Sequence, residues 1–282
     1  MIITLFRSWK IIGLALILGS VVSACAGGPN RPKILEAMAV FDRAYIPALV
    51  FSDLGKQRET ELSLEHLRRS WNDFHLNFYN TKIKYGVNIV DKFWQEDFSR
   101  VDALITSAEV LISQHKLIGV NEQLEPIRII FMDLRKRNGL LYFLDGLTTF
   151  DGLIDEISNR LVGKVRLQDK EIRELQALAD TASQVLQGLS DFELKPKLFG
   201  FNSDKLAAIN ARLLEQQRLV QKLSQVIQAR DLDAVFQSAQ DLKPNFIVLY
   251  KAFGGFQPIF DAIIKEKQDE PKDNKLDKTK SK

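Results

Sequence analysis

The sequence predicts an all-α protein built as an antiparallel helical bundle, on three observations. Apolar residues recur at alternating three- and four-residue steps through the middle of the chain, which places each set on one narrow helical face that a bundle can bury. No segment sustains two-residue alternation bounded by turn dipeptides, so strands are not expected. Glycines and short polar residues punctuate the stripes at helical lengths, as caps do.

Taken in order, eight helices are expected, near 31–52, 57–84, 93–117, 121–138, 140–163, 168–189, 203–229 and 231–254. The first carries the stripe Ile34, Met38, Phe41, Tyr45, and the second Leu64, Leu67, Trp71, Phe74, Phe78. Phe98, Val101, Ile105, Ala108, Ile112 and His115 form the third, putting His115 on a seam near a helix end, where a charged imidazole would complement the dipole. The fourth, "LEPIRIIFMDLRKRNG", closes with Arg135, Lys136 and Arg137, a cluster able to grip an anion or headgroup but more simply read as dipole partners. Left-handed caps are expected at Gly86, Gly119, Gly139 and Gly163, and helix starts near Asn121, Gln168, Ser203 and Asp231. The seventh helix bears Leu206, Ile209, Leu213, Gln216, Val220, Leu223 and Ile227, and the eighth Val235, Ala239, Leu242, Phe246, Leu249 and Phe253. Between the sixth and seventh, "DFELKPKLFGFNSDK" reads as a packed loop.

Leu-x-Pro opens both "LEPIRIIFMDLRKRNG" and "LKPNFIVLYKAFGG", and each segment closes a series of four helices. The chain is therefore either two tandem four-helix bundles, 31–139 and 140–264, or one continuous helical array. Pro47, Pro126 and Pro244 interrupt apolar patterns. Pro126 reads as lying in a first turn, while Pro47 and Pro244 read as deeper, where each would bend the helix and free a carbonyl near Arg43 or Gln240. Residues 265–282, "KEKQDEPKDNKLDKTKSK", are charged and almost devoid of apolar side chains, so a disordered tail is expected.

The amino terminus fixes the expected location. Arg7 and Lys10 precede an apolar run from Ile11 to Val22, and small residues lead to Cys25, the single cysteine of the chain. Basic, apolar, then small is the order of a secretory signal, here 1–24, and a core of about a dozen apolar residues falls short of the roughly 20 that span a bilayer. A buried small hydrophobe or an unpaired thiol would also accommodate one cysteine, but neither explains its place. Val22-Ser23-Ala24-Cys25 resembles the lipobox of bacterial lipoproteins. That resemblance implies cleavage before Cys25, lipidation of its thiol and acylation (palmitate or a similar chain) of the new amino terminus. It further implies a soluble body on the periplasmic side, tethered through residues 25–30. Ala26, where an inner-membrane retention signal would place aspartate, favours the outer membrane if the source has two.

Composition narrows the partners. The chain holds 39 Lys and Arg against 36 Asp and Glu, and loss of Arg7 and Lys10 with the signal leaves 37 against 36. Such a balance offers no basic sink for nucleic acid, leaving the membrane and an envelope protein as the expected partners. The predicted architecture is similar to that of periplasmic haem-binding four-helix bundles, which makes a haem or metal carrier in electron transfer or stress response the alternative function. Covalent haem would need Cys-x-x-Cys-His, which one cysteine excludes. Non-covalent axial ligands would come from Met38, His66, His75 and His115, yet the closing helix carries no histidine. Glu-x-x-His, His-Glu-x-x-His, a Gly-rich phosphate loop and Gly-x-Ser-x-Gly are all missing from the sequence. No catalytic residue, metal site or cofactor is therefore assigned, and a non-catalytic binding or scaffold module is expected. Trp71, Trp94 and Tyr250 are the aromatics that could line a groove, although each also suits a core.

Overall fold

Amphipathic stripes become helices that close into rings. The computed structural model describes residues 33–81 and 90–269; the expected signal segment 1–24, Cys25 and the expected tether, Gly86 and residues 270–282 lie outside them. The helices are α1 (Ile34–Asp53), α2 (Gln57–Phe78), α3 (Trp94–Ser113), α4 (Leu117–Arg137), α5 (Phe143–Leu161), α6 (Asp169–Asp191), α7 (Pro196–Phe199), α8 (Ser203–Ala229), α9 (Leu232–Gln240), α10 (Leu242–Lys251) and α11 (Gln257–Asp269). No strand occurs among the described residues, and none of their helices is long and apolar enough to cross a membrane. The protein is all-α.

The first four helices pack in a cycle, α1 on α2, α2 on α3, α3 on α4 and α4 back on α1. A second cycle joins α5, α6, α8 and the α9–α10 pair. The cycles meet where α4 faces α5 and α1 faces α10, and a single hydrophobic core runs through both, from Met38 to Phe253. In the first cycle that core is aromatic: Phe41 sits 4.8 Å from Phe131, and Phe98 lies 5.4 Å from Trp71 and 5.3 Å from Phe74, ring centre to ring centre. Such offset pairs add to what area burial alone supplies.

Pro47 lies inside α1. A proline there withholds its own N–H and crowds the carbonyl four residues back, so Arg43 is left with a free oxygen. The backbone N–H of Gly255 donates to that oxygen at 2.8 Å. The approach needs glycine: a Cβ on Gly254 would stand 2.9 Å from Ile46 Cγ2, and one on Gly255 would stand 3.2 Å from the Arg43 oxygen. Beyond this anchor α11 lies on α2 over a small separate core of Phe51, Leu62 and Ile259. Glu266 of α11 pairs with Arg58. Helix therefore continues through Asp269, where a disordered tail was expected from Lys265.

Several boundaries differ from the pattern reading, each for a local reason. His115 adopts φ +59° and ends the α3 segment, a left-handed turn that glycine was expected to supply four residues later. Gly119 and Asn121 consequently fall inside α4, and His115 is exposed rather than on the seam. Gly139 and Gly163 do take left-handed conformations. Gln168 and Asp231 cap α6 and α9, while at α8 the capping side chain is Asn202, one residue before Ser203. Pro126 stands mid-helix in α4, and Pro244 is the third residue of α10. Pro244 thus restarts a helix, and α9 ends at Gln240, the residue whose carbonyl its ring would crowd. The loop between α6 and α8 contains the single turn α7, whose buried Phe199 packs edge-on against Phe253 at 5.1 Å.

Candidate ligand-binding cleft

Charged residues interrupt the apolar stripes of α4, α5 and α10 at positions that face one another. Arg128 of α4 bonds Glu125 one turn back at 2.6 Å and reaches Asp151 of α5, also at 2.6 Å. The other oxygen of Asp151 accepts from Lys243 of α10 at 2.6 Å, and Lys243 also holds Asp155 at 2.9 Å. Only 3% of the Asp151 side chain is exposed, against 12% for Arg128. A carboxylate so dry needs close partners, and Asp151 has two cations. This ladder crosses the boundary between the helix cycles.

Above the ladder a cavity of about 160 Å³ opens between α1, α4, α5 and α10. Leu49, Val50, Phe246 and Ile247 give it an apolar wall, and Arg128, Lys243 and Tyr250 a polar one. Tyr250 is only 6% exposed. Burial, then the nearby carboxylates Asp42 and Glu125, push its hydroxyl well above the usual phenol range, against an opposing pull from Arg128. Its hydroxyl has no hydrogen-bond partner among the described residues, whereas the Tyr45 hydroxyl nearby donates to the Leu124 carbonyl at 2.9 Å. Arg128 Nε is buried without an acceptor. Burial also raises the Glu125 carboxyl, with Arg128 opposing. For Lys243 burial acts downward, but Asp151 and Asp155 outweigh it and hold the ammonium up.

A second polar cluster lies deeper on the same boundary. Tyr142 donates its hydroxyl to Asp42 at 2.6 Å, and Arg135, beneath the Tyr142 ring, bonds Asp145 through Nε at 2.9 Å. Burial lifts the Asp42 carboxyl to about 6, despite Arg135 and the Tyr142 hydrogen bond. Arg135 is thus committed to a buried pair and Arg137 to Asp91 and Asp97, which leaves Lys136 as the member of that basic run without an ion pair among the described residues.

The structure scatters the candidate haem ligands. Met38 is buried, its sulfur 3.8 Å from an Arg135 nitrogen. His75 stacks on Tyr79 at 4.4 Å, and His66 sits half-buried nine residues earlier on α2, about 13 Å away along the axis. His115 is on the α3–α4 turn. Among the described residues no three His, Cys, Asp or Glu side chains gather as a metal site would require. Of the three groove aromatics, Tyr250 lines the cleft. Trp71 and Trp94 are buried, with their indole N–H groups bonded to Asp102 and the Phe78 carbonyl, each at 2.9 Å.

No family model, curated protein or solved structure matches this chain. Pattern reading had named Tyr250 but not Arg128, Asp151 or Lys243. The available signal was an ionised residue on a core face: Asp151 follows Phe150 within the stripe Leu147, Phe150, Ile154, Ile157 of α5, all of them buried.

Proposed function

We propose that this chain is a lipid-anchored protein of the bacterial envelope whose helical body acts as a non-catalytic binding module, with the cleft between its helix cycles as the binding site. The tether rests on Val22-Ser23-Ala24-Cys25 behind a basic and apolar leader. One observation supports binding above all: a nearly buried tyrosine lines a cavity walled by apolar side chains and an ion-pair ladder. Pockets that fix small ligands combine an apolar lining with a few convergent polar groups in this way. Lipid tethering suits such a module, since several acyl chains hold firmly where one holds weakly, each buried methylene contributing about 0.8 kcal/mol.

Intact-mass analysis of the protein from native membranes tests the anchor. The expected species begins at Cys25 and carries diacylglycerol on sulfur and an acylated amine; retained residues 1–24 or an unmodified thiol would overturn that half of the reading. Co-purification from native membranes, with Cys25→Ser as control, then reports which envelope partner depends on the tether.

A further inference from the structure

We infer that Arg43 and Lys205 together hold the phosphate group of a monoester, at the turn where α7 gives way to α8 and outside the cleft. The fold sets two cations there without an anion. Arg43 sits midway along α1, on which α7 packs, and Lys205 lies in the first turn of α8. Gly200 ends α7 at φ +69°, and its bare Cα lets the guanidinium approach: a Cβ would stand 3.2 Å from Arg43 Nη1. The Lys205 ammonium lies 4.6 Å from the centre of the ring of Phe201, the next residue of the turn, which attracts it by its π face. Both cationic side chains are half-buried, and neither makes a hydrogen bond or ion pair among the described residues.

Two like charges left this way repel. Burial, and then Arg43, hold the Lys205 ammonium below its usual range, with no carboxylate drawing it back. The nearby acids are engaged or apart. Asp42 precedes Arg43 in the chain, but its carboxylate accepts from Tyr142 on the boundary between the cycles. Asp204 takes the Ser203 hydroxyl at 3.4 Å, and Glu193 is exposed; neither pairs with Arg43 or Lys205. Lys195 and Lys197, which flank Pro196 at the start of α7, add exposed positive charge to the same connection. The pair lacks an anion of two charges whose oxygens meet a planar fork and a point charge at once. A phosphate monoester supplies both; one carboxylate would neutralise only one of the cations. Phosphatidic acid in a bilayer and a soluble phosphate ester share that chemistry.

The test titrates glycerol phosphate, and separately acetate, into residues 26–282, whose core closes within Ile34–Asp269, following amide resonances at constant ionic strength. Glycerol phosphate is expected to shift the Gly200 and Phe201 amides, and acetate to leave them in place. Arg43→Met and Lys205→Met should each weaken it about tenfold, as loss of a hydrogen bond to a charged group does. Arg43→Lys keeps the charge and should weaken it less, while Lys116→Met, on the α3–α4 turn, should leave it unchanged. Where Arg43→Met lowers the melting temperature, Lys205→Met alone decides. Sedimentation with phosphatidylcholine vesicles, with and without phosphatidic acid, separates the two sources. Pelleting only with phosphatidic acid, lost in Lys205→Met, assigns a lipid headgroup; glycerol phosphate binding without pelleting assigns a soluble ester. Acetate moving the same amides as strongly overturns the phosphate assignment. Silence of both amides at millimolar glycerol phosphate, or full affinity in Lys205→Met, overturns the site.

Discussion

Asp42 shows how one residue couples the protein to pH. Its carboxyl is raised from 3.8 to about 6, chiefly by burial. Below the unfolded value both states carry the proton, so this group's contribution to stability is fully present there. It is lost as pH rises through 6, because the folded state must then bury the charge. Asp42→Asn keeps the size of the side chain and removes the titration. Urea melts of the variant and the parent should diverge between pH 4 and 7 by up to about 3 kcal/mol, the parent losing ground as pH rises. Parallel curves would show that Asp42 titrates normally. Trp71 gives the apolar counterpart. It is fully buried among Phe41, Phe74 and Phe98, so Trp71→Ala should cost about 3–5 kcal/mol by the same melts, transfer and cavity losses adding together.

Elements were legible wherever periodicity decided them. Seven of the eight expected helices appear as single elements and the eighth, 231–254, as the pair α9 and α10, because a three-four stripe records both the helix and the face it buries. Punctuation was less legible. His115 does a glycine's work at positive φ, which composition cannot announce, and Pro126 and Pro244 exchanged their expected depths because proline marks a defect without fixing on which side a helix begins. The tail's charged composition hid the end of α11 from Lys265, and the helix needs few apolar residues because it covers only Phe51 and Leu62 and buries only Ile259. A helix held so lightly opens before the rest, and its amides should exchange faster than those of α4. In Gly254→Val the new Cβ would be driven onto Ile46 and Phe256. That substitution should cost about 1–3 kcal/mol and speed exchange in α11 while α4 stays protected; equal protection in variant and parent would mean that Gly254 does not hold the docking.

Across the whole molecule, the shared core and the Arg128–Asp151–Lys243 ladder bind the two helix cycles into one unit. Helices α2 and α8, one from each cycle, should therefore lose protection at the same urea concentration in hydrogen-exchange mass spectrometry. Arg128→Met leaves the buried Asp151 with one cation instead of two. It should cost about 3–5 kcal/mol, as breaking a buried pair does, and separate the two transitions; coincident midpoints in the variant would assign the coupling to the apolar core alone. The bond from Gly255 to the Arg43 oxygen spans nearly the entire described chain. Ribosomes deliver a polypeptide amino end first, so the bend at Pro47 emerges long before the glycine that completes it. Until that segment arrives, water must serve as the stand-in donor, and the opening helix reaches its final setting only once Gly255 has followed it out.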